Sequence, residues 1–285
     1  MNYIYVYSGK LPSYALESIN SVLSVDKKAR IILCTDQNYN FDLIENISFN
    51  EVESELTHKV KSLEYFKNEI NPLWNTSLLR IFYLLDVAKK LKLDSFVHFD
   101  VDVLIYKPYE NLEFLFNKNR FNITSLSELD LIFSYSCTEN LKAYESICYK
   151  IYNILCNPEY YQKKYYEGKK LNEMMLLNIV FIENNELFNI LPTIPNSEKY
   201  NSIIFDSITY GQYLSGVHKT VFSRNIIQEN SYVGRFLIQS GTKVKFKNKP
   251  YLKFDDKKIE LANLHIHGKK LKKFLPEGYK CLINY

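Results

Sequence analysis

The sequence predicts an α/β fold: a mixed, mainly parallel sheet flanked by helices, with a small antiparallel element near the C terminus. Three observations predict it. A strand–turn–helix–strand unit opens the chain. A helix with an apolar stripe then feeds an alternating strand over residues 96–106, and two alternating runs face each other after residue 242.

Asn2–Ser8 alternates in the β manner, and Gly9-Lys10-Leu11-Pro12 makes a turn. Pro12 suits a helix start, and residues 13–24 follow with Tyr14, Ile19, Val22 and Leu23 as the buried stripe. Residues 29–35 (Ala-Arg-Ile-Ile-Leu-Cys-Thr) form a second buried strand that ends at Asp36. A right-handed crossover makes these strands parallel. Ligands of such sheets bind beyond the carboxyl ends of the strands. Ser8, Gly9 and Asp36, next to Tyr7, fall there.

Over residues 75–91, Leu78, Ile81, Phe82, Leu85 and Ala88 recur at helical spacing, with Asn71-Pro72 marking the approach. The next segment, Phe96-Val-His-Phe-Asp-Val-Asp-Val-Leu-Ile-Tyr106, carries the most informative feature. Val97, Phe99, Val101, Val103 and Ile105 take one face of a strand, and His98, Asp100 and Asp102 take the other. Two bare carboxylates on so apolar a strand are costly to bury and call for a neutralising partner. On an extended strand their Cα atoms stand roughly 6–7 Å apart on one side, within reach of one divalent cation. Mg²⁺ is commonly held by one or two carboxylates plus substrate phosphates. The bland reading is a pair of acids capping a turn.

Residues 141–155 read as a helix ending before Asn157-Pro158, and 174–182 is an apolar run that suits helix or strand. Glu173, just before it, fits a helix-start acid. Residues 183–230 are Asn-rich and irregular. Residues 244–254 and 259–267 read as paired strands turning at Asp255-Asp256. The second of these places His265 and His267 on one face, followed by Gly268, Lys269 and Lys270. Imidazole suits transition metals, and the lysines suit phosphate.

The chain has 285 residues, 46% of them hydrophobic and 24% charged, as expected of one large globular domain or two closely joined halves. The functional division falls near residue 110, with the first half binding a ligand and the second closing over it. Cys34, Cys137, Cys148, Cys156 and Cys281 form no Cys-x-x-Cys pair and favour reduced thiols and a cytosolic setting. There is no signal-peptide pattern, and no apolar run approaches the ~20 residues needed to span a bilayer. The expectation is a soluble cytoplasmic protein, at most attached to a membrane surface. Net charge is +4, but residues 243–285 hold twelve lysines against four acids, a local +8 that leaves −4 for the rest. Such a tail suits anionic partners. Lys269–Leu275 could rest weakly on an anionic membrane. No nucleic-acid-reading motif accompanies these lysines. Trp74 and the tyrosines offer faces for stacking on sugar rings, with none singled out.

These motifs together resemble the GT-A glycosyltransferases of bacterial surface-polysaccharide synthesis (capsule or lipooligosaccharide), with features of the retaining galactosyltransferase and glycogenin group. Leu79-Arg80-Ile81-Phe82-Tyr83 is similar to that group's R-I-x-Y helix. Val97-His-Phe-Asp100-Val-Asp102-Val-Leu-Ile105 is similar to its L-Y-L-D-x-D-x-L-V strand, and His265-Ile-His267-Gly268 to its late H-x-x-G. The likeness covers the first 110 residues and the last 25 and is thin between them. Phe205-Asp206 through Gly211-Gln212-Tyr213-Leu214-Ser-Gly216 resembles a stretch of surface-glycan transferases.

The resemblance implies a GT-A (Rossmann-like) fold and a Mn²⁺ or Mg²⁺ ion on Asp100, Asp102 and His265, with His267 as the alternate ligand. A nucleotide-diphosphate sugar, UDP being the commonest, would lie against Tyr7, Ser8, Gly9, Asp36, Arg80, Asp100 and Lys269. Asp206 and Gln212 would position donor or acceptor, a glycan or lipid-linked glycan, with retention of configuration favoured and Asp206 the one nominee for an acceptor base. The basic run Lys269-Lys-Leu-Lys-Lys-Phe274 departs from the family's usual Pro-Trp. Two other readings fit some of these residues. A haloacid-dehalogenase-like phosphohydrolase would use Asp100 as nucleophile, although some 95 residues precede the motif and Asp255-Asp256 sits in a lysine-rich turn. A non-catalytic glycan-binding relative would keep the fold without turnover.

Overall fold

The opening βαβ unit forms where the pattern places it, in a computed structural model that describes residues 1–67, 72–128, 130–195, 202–217 and 229–284. Strand β1 (Asn2–Tyr7), helix α1 (Ser13–Val25) and strand β2 (Arg30–Thr35) follow in order. The strands pair in parallel from Asn2 opposite Arg30 to Tyr7 opposite Thr35. Pro12 is the extended residue that caps α1 rather than its first helical residue. β3 (Ile44–Ser48) adds in parallel outside β2. Three short helices follow: α2 (Phe49–Val52), α3 (Glu55–Ser62) and α4 (Glu64–Lys67). Ser48 and Ser54 cap the first two by accepting backbone N–H bonds. α5 (Pro72–Lys90) then buries the expected stripe of Leu78, Ile81, Phe82, Leu85 and Ala88. Asn71 and the side chain of Trp74 lie outside the described residues.

The 96–106 run is not one strand. β4 (Phe96–His98) pairs in parallel with β1, the chain turns through Asp100-Val101-Asp102, and β5 (Val103–Ile105) belongs to a different sheet. The Asp100 N–H donates to the Phe133 carbonyl at 3.0 Å, and the Val103 N–H closes the turn on the Asp100 carbonyl at 3.1 Å. Alternation misleads here because both sides are covered: His98 is as buried as Val97 and Phe99. A turn, not the pleat of a strand, brings the two carboxylates together.

β6 (Phe121–Ser127) and β7 (Asp130–Thr138) are antiparallel, and β7 also pairs antiparallel with β4. α6 (Leu141–Cys156) and α7 (Pro158–Tyr166) follow, broken at Asn157-Pro158. The ambiguous run after them is helix α8 (Glu173–Glu183), with the Asn172 side chain accepting the Met175 N–H. β8 (Phe188–Leu191) pairs in parallel with β6. The resulting seven-stranded sheet runs β3-β2-β1-β4-β7-β6-β8, parallel except around β7. It crosses residue 110 through the β4–β7 pairing. Alternate residues of β1 feed opposite cores. Ile4 packs with α5, α6 and α8, while Tyr3 and Tyr5 pack with α1. A mixed, mainly parallel sheet between helices is the architecture the sequence implied.

The stretch expected to be irregular is more ordered than its composition suggests. It holds β9 (Ile203–Ile204) and α9 (Thr209–Ser215), and α10 (Tyr232–Ser240) comes just after it. Residues 196–201 and 218–228 of that stretch lie outside the description. The expected strand pair is four strands: β10 (Val244–Lys247), β11 (Lys249–Phe254), β12 (Lys257–Leu261) and β13 (Asn263–His265). The first three make antiparallel turns at Asn248 and at Asp255-Asp256, all left-handed, and β9 completes their sheet. β13 leaves this sheet to pair antiparallel with β5, setting His265 opposite Val103.

Beyond it, Leu271 and Phe274 are buried in a 3-10 turn. Leu271 and Phe274 are therefore withheld from any lipid surface, which leaves the lysines and the half-buried Leu275 of the 269–275 segment. No described helix is long and apolar enough to cross a membrane. All five cysteines are free, with Cys34, Cys137 and Cys148 buried.

Candidate metal and phosphate site

The antiparallel β5–β13 pairing decides the site. It carries His265 to the turn that holds Asp100 and Asp102, and one donor atom from each of the three lies within 4.8 Å of the others. His265 Nε2 is 3.2 Å from Asp102 Oδ1 and 3.9 Å from Asp100 Oδ2. Among the described residues His267 has no place in this group. β13 ends at His265, so the strand alternation that would align the two imidazoles stops there.

Two cations flank the acids. The Arg80 guanidinium bonds to Asp100 with one nitrogen. Its other terminal nitrogen reaches both oxygens of Glu173, at 2.7 and 2.9 Å. The guanidinium also stands over the Phe133 ring, 5.2 Å from its centroid. Lys269 bonds to the other oxygen of Asp102 and lies 5.4 Å from the centre of the Tyr14 ring.

Burial governs the electrostatics. It pushes the Asp102 carboxyl up, but His265 and then Lys269 overcome it and hold the group well below the usual carboxylate range. Burial lowers His265, yet Asp102 and then Asp100 raise its imidazole to about 9. Glu173 is raised to about 7, by burial first and by Asp100 against the opposing pull of Arg80. With His265 protonated, three positive groups face three carboxylates. Two carboxylate oxygens and an imidazole nitrogen are a donor set that suits Mn²⁺ or Mg²⁺. A cation taken up there would displace the His265 proton.

Asp206 reaches this site by another route. It is 0% exposed, and its Oδ1 accepts the Tyr210 N–H at 3.0 Å while Oδ2 accepts those of Gly211 and His265, each at 2.9 Å. Burial, the largest influence, raises its carboxyl to about 6 against these bonds. The expected role as a base facing an acceptor does not fit a carboxylate enclosed by three backbone donors. What the placement does is tie the start of α9 to the strand carrying His265. Asn263 continues the tie. Its Oδ1 accepts the Asp206 N–H at 3.0 Å, and its Nδ2 donates to the Asp206 carbonyl at 3.0 Å and to Ser134 Oγ at 3.2 Å.

Gly211 has a matching reason to be glycine: a Cβ there would meet the His265 carbonyl oxygen at 1.9 Å. The Asp206–Gly211 spacing thus works as a clamp on His265, a role no sequence pattern announced. Gln212, the next residue, is buried on the same helix.

No family model matches the sequence. No curated protein matches it either. The solved structures similar to it include mouse xyloside xylosyltransferase 1 in its apo form. That match has 12% identity over 67% of this chain and 85% of that one, with a TM-score of 0.46. Another is an active-site mutant of LgtC, at 10% identity over 78% and 80% of the two chains and a TM-score of 0.47. A third is the glycosyltransferase GlyE of Streptococcus pneumoniae TIGR4, at 12% identity, 67% and 44% coverage and a TM-score of 0.42. The functional reading rests on the site itself.

The ends of β1 and β2 form a second polar cluster. Ser8 Oγ donates to Asp36 Oδ2 at 2.8 Å and the Gly9 N–H to Oδ1 at 2.7 Å. Burial would raise the Asp36 carboxyl, but these bonds, with Gln37, hold it below its ordinary value. Tyr7 is half-buried beside them, its hydroxyl pushed up by burial and then by Tyr39. A cleft of about 450 Å³ opens on the far side of Asp36, lined also by Gln37, Tyr39, Phe41 and Glu51, and it includes none of the Asp100–Asp102–His265 group. Among the described residues it is the Asp100–Asp102–His265 group, not this cleft, that gathers potential cation ligands beside Arg80 and Lys269.

Glu173 is the residue that sequence reasoning undervalued. A helix-start acid is ordinary, and the signal that it does more is its contact with Arg80 across 93 residues of chain.

Proposed function

We propose that this protein is a GT-A glycosyltransferase that moves a sugar from a nucleotide-diphosphate sugar, UDP being the expected carrier, to a hydroxyl of a growing bacterial surface glycan. The acceptor would be a capsule or lipooligosaccharide chain, free or lipid-linked, on the cytoplasmic side. One observation carries the reading: the group of the half-buried Asp100 with the buried Asp102 and His265, flanked by Lys269 and Arg80 at the carboxyl end of the sheet. Asp100, Asp102 and His265 would hold Mn²⁺ or Mg²⁺. That ion, when bound, supplies Lewis-acid stabilisation to the departing diphosphate.

The chain's own residues account for the rest. Lys269 is placed to transfer its charge from Asp102 to a diphosphate oxygen, as a preorganised cation does for a leaving oxyanion. Arg80, fixed by Glu173, aligns the Asp100 carboxylate and presents charge toward the donor. Tyr7, Ser8, Gly9 and Asp36 form the wall against which the nucleoside would lie. Gln212 is retained as a residue that positions donor or acceptor. Asp206 acts through His265, as a positioning residue. Asp206, so enclosed, is not free to serve as the base an inverting mechanism needs, and the proposal keeps the retention of configuration that the resemblance implies.

The test is Mn²⁺-dependent hydrolysis of a panel of nucleotide-sugars without acceptor. One sugar nucleotide should turn over, and Asp102→Ala should lower that rate about a thousandfold, the several kcal/mol a Lewis acid supplies. Full activity in the Asp102→Ala variant with Mn²⁺ present would refute the proposal.

A further inference from the structure

The small C-terminal sheet has two unlike faces. Val244, Phe246, Leu252, Phe254 and Ile259 point inward and pack on the core that includes Tyr106, Leu264 and Phe274. The register sets the opposite face. Lys245 lies beside Tyr251 and Glu260, Lys247 beside Lys249, and Lys253 beside Lys258. Five lysines, one tyrosine, one glutamate and, on β9 beside Glu260, the partly buried Ile203 make up that face. Lys245, Lys247, Lys253 and Lys258 are exposed. Glu260 is surrounded, bonding Lys249 at 2.7 Å, Lys258 at 3.5 Å and also Lys107. Lys258 stands 4.9 Å from the centre of the Tyr251 ring. Other acids sit only at the rim, Asp255 and Asp256 in one turn and Glu277 against Asn248 in the other.

Edge protection explains lysines on β10, the outer strand. Lys249, Lys253 and Lys258 stand on the inner strands β11 and β12, at the ends of the ladder where the register gives each of them one partner. Like charges directly opposite each other destabilise a sheet, and this face holds two such pairs, Lys247–Lys249 and Lys253–Lys258. The pattern costs stability in the free protein, and a countersurface of negative charge would relieve it.

The geometry points to this face as a docking surface for an anionic lipid bilayer. A sheet face presents its charges on a broad surface, matching the plane of headgroups, and attraction of this kind accumulates lysine by lysine. The face carries no arginine, the residue suited to bidentate recognition of individual phosphates. Its single aromatic is covered by Lys258 and so offers no stacking platform for a single-stranded nucleic acid.

The face is also wired to the candidate site. Lys107 follows Asp102 by five residues, Glu260 precedes His265 by five, and the two are ion-paired. Docking would therefore fix the direction in which the site faces. This deepens the transferase reading, by saying where a lipid-linked acceptor would be met, and its test requires no turnover.

The test is cosedimentation of the full chain with phosphatidylglycerol–phosphatidylcholine vesicles at low ionic strength. We expect binding to these vesicles, none to pure phosphatidylcholine, and release as salt is raised. Changing Lys245, Lys253 and Lys258 together to Glu should weaken binding by roughly a hundredfold, with Mn²⁺ binding unchanged. The corresponding Gln triple variant should show a smaller loss in the same direction and covers the case in which charge reversal disturbs folding. Three results would overturn the inference: wild type staying in solution at low salt, both triple variants sedimenting like wild type, or tighter binding to duplex RNA than to vesicles of equal charge. Each of these would leave nucleotide-sugar hydrolysis untouched, so the two readings fail separately.

Discussion

Two charged clusters sit at opposite ends of the same short arms of chain, and they use charge in opposite ways. At one end Asp102 and His265 are buried, with Lys269 closing over them. At the other the Lys107–Glu260 pair, 17% and 18% exposed, lies beside the exposed lysines of the C-terminal sheet. In the buried cluster each charge needs a specific partner, and removing one leaves another stranded at several kcal/mol. Among those exposed lysines water and salt screen each charge, so individual contacts are worth about 1 kcal/mol or less. The same residue types therefore make a chemically specific site in one place and an additive, interchangeable surface in the other.

The largest structural effect should come from Gly211→Ala. A methyl group in an exposed helix would ordinarily stabilise by up to about 1 kcal/mol. Here it would meet the His265 carbonyl, so the variant should instead lose about 1–3 kcal/mol and bind Mn²⁺ more weakly. Thermal unfolding and metal titration check both, and a stabilised variant with intact metal affinity would break the clamp argument.

Glu173→Gln comes next. It keeps the shape but removes a buried charge-assisted bond to Arg80, worth about 1.5–3 kcal/mol. The expected result is a tenfold or greater fall in turnover with a smaller loss of Mn²⁺ affinity, because Glu173 acts on the ligand Asp100 only through Arg80. Equal losses in both would move Glu173 into the metal site.

The smallest effect should be at Glu260. The carboxyl, raised by burial but held down to about 2 by Lys107 and Lys249, has a folded value below its ordinary 4.5. Its contribution is thus fully present above about pH 4.5 and is lost as pH falls through about 2. Glu260→Gln should flatten acid unfolding in that window and cost about 1 kcal/mol or less at neutral pH. A large loss at pH 7 would mean that this pair is no mere surface contact.

How legible this molecule is depends on whether its polarity pattern follows burial. Helix α6 could be read closely because one face is apolar and the other wet, and α5 because its apolar residues recur at helical spacing although residues 81–88 are buried all round. β6 and β7 gave no such signal. Thr124, Ser125, Ser134, Ser136 and Thr138 are all buried in strands covered on both sides. Thr124 donates to the Ile132 carbonyl at 2.7 Å and Ser136 to the His98 carbonyl at 2.8 Å, so polar residues fill core positions. At the site, the types and spacing of Asp100, Asp102, His265 and Lys269 were readable as a cation-and-phosphate set. Their meeting was not, since it depends on a turn within an alternating run and on β13 crossing to another sheet. Asp206 shows the remaining gap. An acid in a polar, glycine-bearing stretch suggests chemistry, and only the three backbone donors around it reveal a brace.

The central claim is that Asp100, Asp102 and His265 hold a divalent cation together with a nucleoside diphosphate. Mn²⁺ binding followed by electron paramagnetic resonance, with and without a nucleoside diphosphate, tests it directly. The account predicts one tight Mn²⁺ in the wild type, tighter still with the diphosphate, and none in Asp102→Ala. Mn²⁺ bound equally well by wild type and variant would contradict it.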